Sequence, residues 1–381
     1  MNSMEKYRKA ISLEPYNDRT EIPVFPLMIS SLTTFGGATQ AEAYNSIDAW
    51  LAAAERAFQT VGLPDVMAPA YPADTVFNMF LPSRVPGREL DDEALYQFVE
   101  TPYFEDPSEY DVIMQMGWDN WFAKHTMDVQ TPPMQNPAEL GARFGQLAQN
   151  FAKTYGFIYG HGMVPWWDAA TYPIFDSLSM YRSMQEFLFD LVDDPGPIMD
   201  VVNTFTPGEV QRILGQLKEN NGWRVDLFAM RSSATFLSPD MFEEYAWPAL
   251  KYMIEEFHKA GIHSIIHADG KWLPMLEYFT QLPKGCMHFE LDGDTDMQAA
   301  YDILGGWQCI QGDVPATKLM MAQPDEISEY CEKLIQMGMK GGFILGSGCE
   351  VPMNAKPENV AAMIASVRSD STLKSARKLV A

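Results

Sequence analysis

In the last third of the chain, His267 and Asp269 stand two residues apart after the apolar run HSIIHA, and Cys349 follows a second run, GFILGSG. On extended backbone, residues i and i+2 point to the same side, so the imidazole and the carboxylate can reach one point. A thiolate and an imidazole together favour zinc, and a carboxylate is an acceptable third ligand. Three protein ligands leave one coordination position open, which is the arrangement of a catalytic rather than a structural site. On spacing alone a plainer reading stands beside it. His267 then belongs to the core, Asp269 to the turn before Gly270, and Cys349 is a buried thiol.

Other groups occupy similar positions at the ends of apolar runs. Glu290 stands next to last in CMHFEL, Asp313 lies near the end of CIQGDV, and Glu350 follows Cys349. Each is a candidate acid or base. The alternative for such carboxylates is to cap the next helix. Arg231 ends VDLFAMR, while YGHGMVPWWD offers His161, Trp166 and Trp167 as substrate-facing groups. The tryptophans suit an aromatic pocket or the core equally well. Cys286, Cys309 and Cys331 read as small buried hydrophobes, His125 and His258 as structural, and no CxxC pair is present.

These residues need a frame that gathers them. Short apolar, β-branched runs alternate with amphipathic helical stretches from residue 20 onward. PVFPLM, DVMAP, FIYGHGMV (157–164), VDLFAMR, HSIIHA, CMHFEL, CIQGDV and GFILGSG give eight expected strands. Runs that are apolar throughout, separated by helices, indicate parallel strands covered on the outside. Eight of them suit a (β/α)8 TIM-type barrel, whose active site lies at the C-terminal ends of the strands. An open doubly wound sheet would want a glycine-rich turn after its first strand, and FPLMISSLTTFGG is not one. Residues 73–150 break the pattern, with an expected hairpin in VFNMFLPSRVPGREL and an expected strand at 111–117. They are expected to be an insertion that caps the barrel within a single domain spanning 1–381.

With 381 residues, 47% of them hydrophobic, the chain has ample material for a core. Against 51 acidic residues stand 27 basic ones, for a formal net charge of −24, which disfavours nucleic acid and anionic membranes as partners. No stretch approaches the roughly 20 apolar residues of a spanning helix. The N-terminus MNSMEKYRKAISLEP lacks the apolar centre of a signal peptide, so a cytoplasmic location is expected.

The run from LSPDMFEEYAWPALKYMIEEFHKAGIHSIIHADG to GGFILGSGCEVPMNAKPENVAAMIASVR resembles the uroporphyrinogen decarboxylase superfamily, and within it the corrinoid-linked methyltransferases. The likeness is strong over residues 225–370, weaker over 20–70 and faint between 73 and 150. It implies a (β/α)8 barrel with an N-terminal extension. True decarboxylases grip their substrate's carboxylates with an arginine-rich N-terminal motif. The corresponding FPLMISSLTTFGG holds no arginine, and a net charge of −24 suits a polyacid poorly. The methyltransferase branch holds zinc through His-x-Cys and a distant Cys. Here His267 and Cys349 match, and Asp269 stands where the first Cys would be. An oxygen in place of a sulfur hardens the metal and favours an oxygen ligand such as the ether of a methoxylated compound. The resemblance therefore implies a zinc-dependent methyltransferase that moves a methyl group from a small methylated substrate to a corrinoid (cobalamin). No DxHxxG-type cobalamin motif is present, so the corrinoid is expected on a partner protein. The alternatives are transfer from methyl-corrinoid to a thiol or pterin, decarboxylation, and a non-catalytic member.

Overall fold

The computed structural model describes residues 1–368. Eleven strands occur in it: β1 (Val24–Leu27), β2 (Val66–Met67), β3 (Ser83–Arg84), β4 (Gln97–Phe98), β5 (Val164–Pro165), β6 (Ala169–Thr171), β7 (Arg224–Phe228), β8 (His263–Ala268), β9 (Met287–Leu291), β10 (Cys309–Val314) and β11 (Phe343–Glu350). Seven form one sheet in the order β1-β11-β10-β9-β8-β7-β6, every pairing parallel. Consecutive parallel neighbours need a helix-length return between them, and the sequence supplies one after nearly every strand.

A parallel pair of β2 and β5 stands between the edges of this sheet. Asp65 N–H donates to Val24 O at 3.0 Å, joining β2 to the β1 edge, and Trp166 N–H donates to Met67 O at 2.9 Å. The chain then runs on from β5 through Asp168, whose N–H donates to Arg224 O, into β6 at the opposite edge. Both edges are thereby linked, an arrangement compatible with the expected barrel. Strands β8 to β10 are buried along their full length, as their apolar composition requires.

Several elements differ from expectation. Residues 157–160 do not begin a strand; they end the long helix Pro137–Gly160. Asn136 caps that helix, Pro137 opens it, and Leu140, Leu147, Asn150, Thr154 and Ile158 form its buried stripe at helical spacing. Extended structure resumes only at Val164. Residues 111–117 are likewise helical (Glu109–Met116), burying Tyr110 and Ile113. The hairpin expected in 76–90 is replaced by the end of helix Pro72–Met79 and by β3, which pairs with the more distant β4. Residues 40–61 form two helices, Gln40–Asn45 and Ile47–Val61, because Ser46 leaves the helical conformation to cap Ala49 N–H. No helix among the described residues is long and apolar enough to cross a membrane.

The lower end of the sheet is closed by the N-terminal helix Ser3–Ile11. Its Tyr7 is fully buried against Trp223 and His288. There Arg224, with no exposed side-chain surface, donates from Nε and Nη2 to both carboxylate oxygens of Asp168 at 3.0 and 2.8 Å.

Candidate metal centre

His267 lies at the C-terminal end of β8, where Cβ alternation turns it, with Ile265 and His263, to one face of the strand. The strand ends just beyond it, and Asp269 starts the turn closed by Gly270, whose φ of 85° is the left-handed conformation glycine tolerates. Thr235 Oγ1 would lie 2.4 Å from a Cβ at Gly270, so the turn also needs the missing side chain. Cys349 comes from the end of β11, three strands away. Ligand atoms of His267, Asp269 and Cys349 all fall within 4.8 Å of one another, with His267 Nε2 3.6 Å from Asp269 Oδ1.

Glu290 completes the arrangement from β9, directly in register with His267. Its Oε2 accepts from His267 Nδ1 at 2.7 Å, which leaves Nε2 as the ring atom aimed at Asp269. A carboxylate behind a ligating histidine fixes the tautomer and orientation that metal binding needs. Two zinc ligands at bonds of about 2.0–2.3 Å sit roughly 3.3–3.8 Å apart in a tetrahedron. The His267–Asp269 spacing already lies in that interval, and the donor set N, O, S is one zinc accepts. The residues present therefore fit zinc.

Among the protein groups themselves, the electrostatics couple these side chains. Burial works against charge on His267, but the Glu290 and Asp269 carboxylates outweigh it and hold the imidazole well above its ordinary value. Burial would raise Asp269, yet the imidazolium beside it brings its carboxyl below the usual range. Burial pushes the Cys349 thiol up to about 11, against the lowering influence of His267. Glu290 is raised by burial, with His267 opposing. A cation in this pocket would favour the ionised forms of Cys349 and Glu290 and would take the place of the proton on His267 Nε2.

Aromatic rings surround the histidine. Trp166 and Phe228 stand edge-on to its imidazole, with ring centroids 5.6 and 5.7 Å away, and Tyr172 lies against Phe228 at 4.8 Å. Trp166 also meets Phe25 of β1 at 5.0 Å. Of the residues singled out in the sequence, the structure thus brings together His267, Asp269, Cys349, Glu290 and Trp166.

The others stand elsewhere. Glu350 Oε1 accepts from Ser30 N–H at 2.8 Å, at the start of helix Ser30–Phe35. Asp313 accepts from Tyr330 of the outer helix Pro324–Gly338 at 2.8 Å, and burial lifts its carboxyl to about 7. Trp167 packs on Phe151 of the long helix. His161 caps that helix below the strands, held by Phe157 O and Glu55. Arg231 pairs with Glu100 at 2.8 Å and donates its backbone N–H to Asp176, tying the loop after β7 to its surroundings.

Sequence reasoning passed over Phe228, Tyr172, Asp226 and Gln311. Asp226 and Phe228 are two apart on β7, so alternation alone could have placed Asp226 beneath the aromatic wall. Asp226 is fully buried, burial lifts its carboxyl well above the ordinary value, and neither of its oxygens has a side-chain hydrogen-bond partner among the described residues. A lone amide within the apolar strand CIQGDV was the corresponding signal for Gln311.

In its overall fold the chain is similar to a methyltransferase from Methanosarcina mazei, at a TM-score of 0.65 and 14% identity, over 96% of this chain and 98% of that one. No curated protein matches the sequence. The uroporphyrinogen decarboxylase (URO-D) family matches residues 167–369, just over half the chain and the whole stretch that carries His267, Asp269, Glu290 and Cys349, and the chain belongs to that family.

Proposed function

We propose that the chain is a zinc-dependent methyltransferase that moves a methyl group from a small methylated substrate, best an O-methyl compound, to the corrinoid of a partner protein. The observation that carries the reading is the convergence of His267, Asp269 and Cys349 within 4.8 Å, with Glu290 on the far nitrogen of the imidazole. His267 Nε2, Asp269 and Cys349 would hold the metal. When bound there, zinc supplies Lewis acidity to the ether oxygen and so eases departure of the demethylated alcohol or phenol.

The chain's own residues do the rest. Glu290 keeps the proton of His267 on Nδ1 and the ring in one orientation. Asp269 contributes an oxygen where a thiolate would make the centre softer, which favours an oxygen-bearing substrate over a thiol. Trp166, Phe228 and Tyr172 present flat apolar walls beside His267 that suit the carbon frame of a methoxylated compound. The fold-level likeness to a methyltransferase accords with this chemistry. In the same reading the strands close into a (β/α)8 barrel, residues 73–150 cap it, and the whole chain works as one unit in the cytoplasm.

The test is transfer of methyl from a panel of methoxylated compounds to free cob(I)alamin by the zinc-loaded protein, followed by the loss of the cob(I)alamin absorbance. Turnover that requires His267 and Cys349 supports the reading. A zinc-loaded protein that transfers methyl from no methoxylated or methylamine donor overturns it.

A further inference from the structure

The stretch from Asp92 to Glu100 forms a strap tied down at both ends. Asp92 O accepts from Ala41 N–H at 2.9 Å, in the helix Gln40–Asn45 beyond β1. Glu100 Oε1 accepts from Arg231 Nη1 and from Met184 N–H, at 2.8 and 2.9 Å. Arg231 stands in the loop after β7, and Met184 begins the second helix after β6. The strap therefore links segments that follow opposite edges of the seven-stranded sheet, on the side of the C-terminal strand ends.

Leading into β4, exposure alternates along the strap. Leu95 and Gln97 face solvent, while Tyr96 and Phe98 are half-buried and meet edge to face, 5.5 Å between ring centroids. The Tyr96 hydroxyl comes within side-chain hydrogen-bonding reach of Ser30, and Glu350, Tyr172 and Cys349 stand close enough to act on it electrostatically. Ser30 opens the helix after β1, and Glu350 closes β11 just beyond Cys349. Tyr172 packs on Phe228, whose edge faces His267. One side chain of the insertion thus reaches the space that Trp166, Phe228 and Tyr172 line from the barrel. Burial, and then Glu350, keep its phenol protonated well above the ordinary range, so it is a hydrogen-bond donor.

We propose that Tyr96 is a specificity-determining residue of this site, its O–H donating to a second oxygen of the substrate while the ether oxygen faces the metal. The substrate is then an aryl methyl ether that carries a further hydroxyl on its ring, held between the aromatic wall of the barrel and the strap. Glu100, through Arg231 and Met184 N–H, keeps the strap and its tyrosine in place. An ether without the second oxygen offers the Tyr96 hydroxyl no acceptor, and a site built around a hydrogen bond discriminates against such a ligand. The inference rests on the methyl-transfer reading for the class of ligand.

Its test reads binding and needs no turnover. Titration calorimetry of the zinc-loaded protein compares the three methoxyphenol isomers with methoxybenzene, which lacks the hydroxyl, in the wild type and in Tyr96→Phe. One hydrogen bond is worth about 2–10-fold in affinity. At least one isomer should bind the wild type more tightly than methoxybenzene by that factor. Tyr96→Phe should erase the advantage and leave the methoxybenzene affinity and the zinc content unchanged. Phenylalanine keeps the ring, so a tyrosine that merely fills space under the strap would leave the preference intact. Preference for no isomer, a preference that survives in Tyr96→Phe, or equal weakening of every ligand overturns the inference. Methyl transfer to cob(I)alamin with the same compounds separates this outcome from the function proposed above. Transfer whose isomer preference in kcat/KM is the same in Tyr96→Phe removes the role of Tyr96 alone. A binding preference that Tyr96→Phe abolishes, with no transfer from any donor, removes the function and supports the contact.

Discussion

Replacing Asp168 by Asn tests how the segment between β5 and β6, which carries Trp166, is held. Asp168 and Arg224 have side-chain exposures of 8% and 0%, and the guanidinium meets the carboxylate at two points, 3.0 and 2.8 Å. Asp168 Oδ2 also accepts the backbone N–H groups of Trp223 and Arg224 at 3.0 and 3.1 Å. Arg224 lies over the rings of Trp223 and Tyr7, 4.7 and 5.5 Å from their centroids, so no water can replace the lost charge. Removing one partner of a buried ion pair costs about 3–5 kcal/mol, because the other charge is left uncompensated. Asn retains one acceptor, so the lower end, about 3 kcal/mol, is expected. Domains are stable by about 5–15 kcal/mol, so this is a large share of the total. Urea unfolding of Asp168→Asn, Arg224→Met and the double variant measures it. The double variant should lose less than the sum of the two singles, since it strands neither charge. A loss in Asp168→Asn below about 1 kcal/mol, the range of exposed pairs, would refute the reasoning.

Three other outcomes follow from the site. Glu290→Gln removes the carboxylate behind His267 and should weaken zinc by about 10–100-fold in chelator competition, while the thermal midpoint of the chelator-treated protein moves little; equal affinity would remove Glu290 from the metal's support. Zinc affinity should rise with pH. The Cys349 thiol sits at about 11 and His267 well above its ordinary value, so both carry protons at neutral pH that binding must displace. Each displaced proton contributes up to about tenfold per pH unit, and a flat profile between pH 6 and 8 would contradict that protonation state. Gly348→Ala should destabilise the fold and loosen the metal, because its Cβ would fall 2.3 Å from Asp292 O, a backbone atom that cannot move aside freely. Unfolding and zinc titration of that variant check both effects, and wild-type values in both would show that the strand end has room.

The parallel strands β7 to β11 were legible because each is a largely apolar run with a polar residue at, beside or soon after its C-terminal end, and such runs read the same way whatever surrounds them. His267, Asp269 and Cys349 were legible for the same reason: strand ends in this kind of fold converge, so the sequence order of the runs predicts which side chains meet. Reading failed where two periodicities compete. FIYGHGMV looks like a strand taken alone, but its first residues belong to the stripe Leu147, Thr154, Ile158 of a helix that begins twenty residues earlier. Carboxylates at strand ends were harder still. Glu290 and Asp313 have the same sequence signature, yet one turns to His267 and the other to Tyr330 of the outer layer. Nothing in either run states which way its next-to-last residue turns. Trp166 and Trp167 divide likewise, one toward His267 and one toward Phe151, as adjacent residues on extended backbone must.

The central claim is tested most directly by the zinc content of the purified protein beside that of Cys349→Ala. The account predicts near-stoichiometric zinc in the wild type and its loss in the variant, since two remaining ligands, one of them partly exposed Asp269, hold the metal poorly. A wild-type protein that takes up no zinc even when it is supplied, or a variant that keeps the full complement, would contradict it.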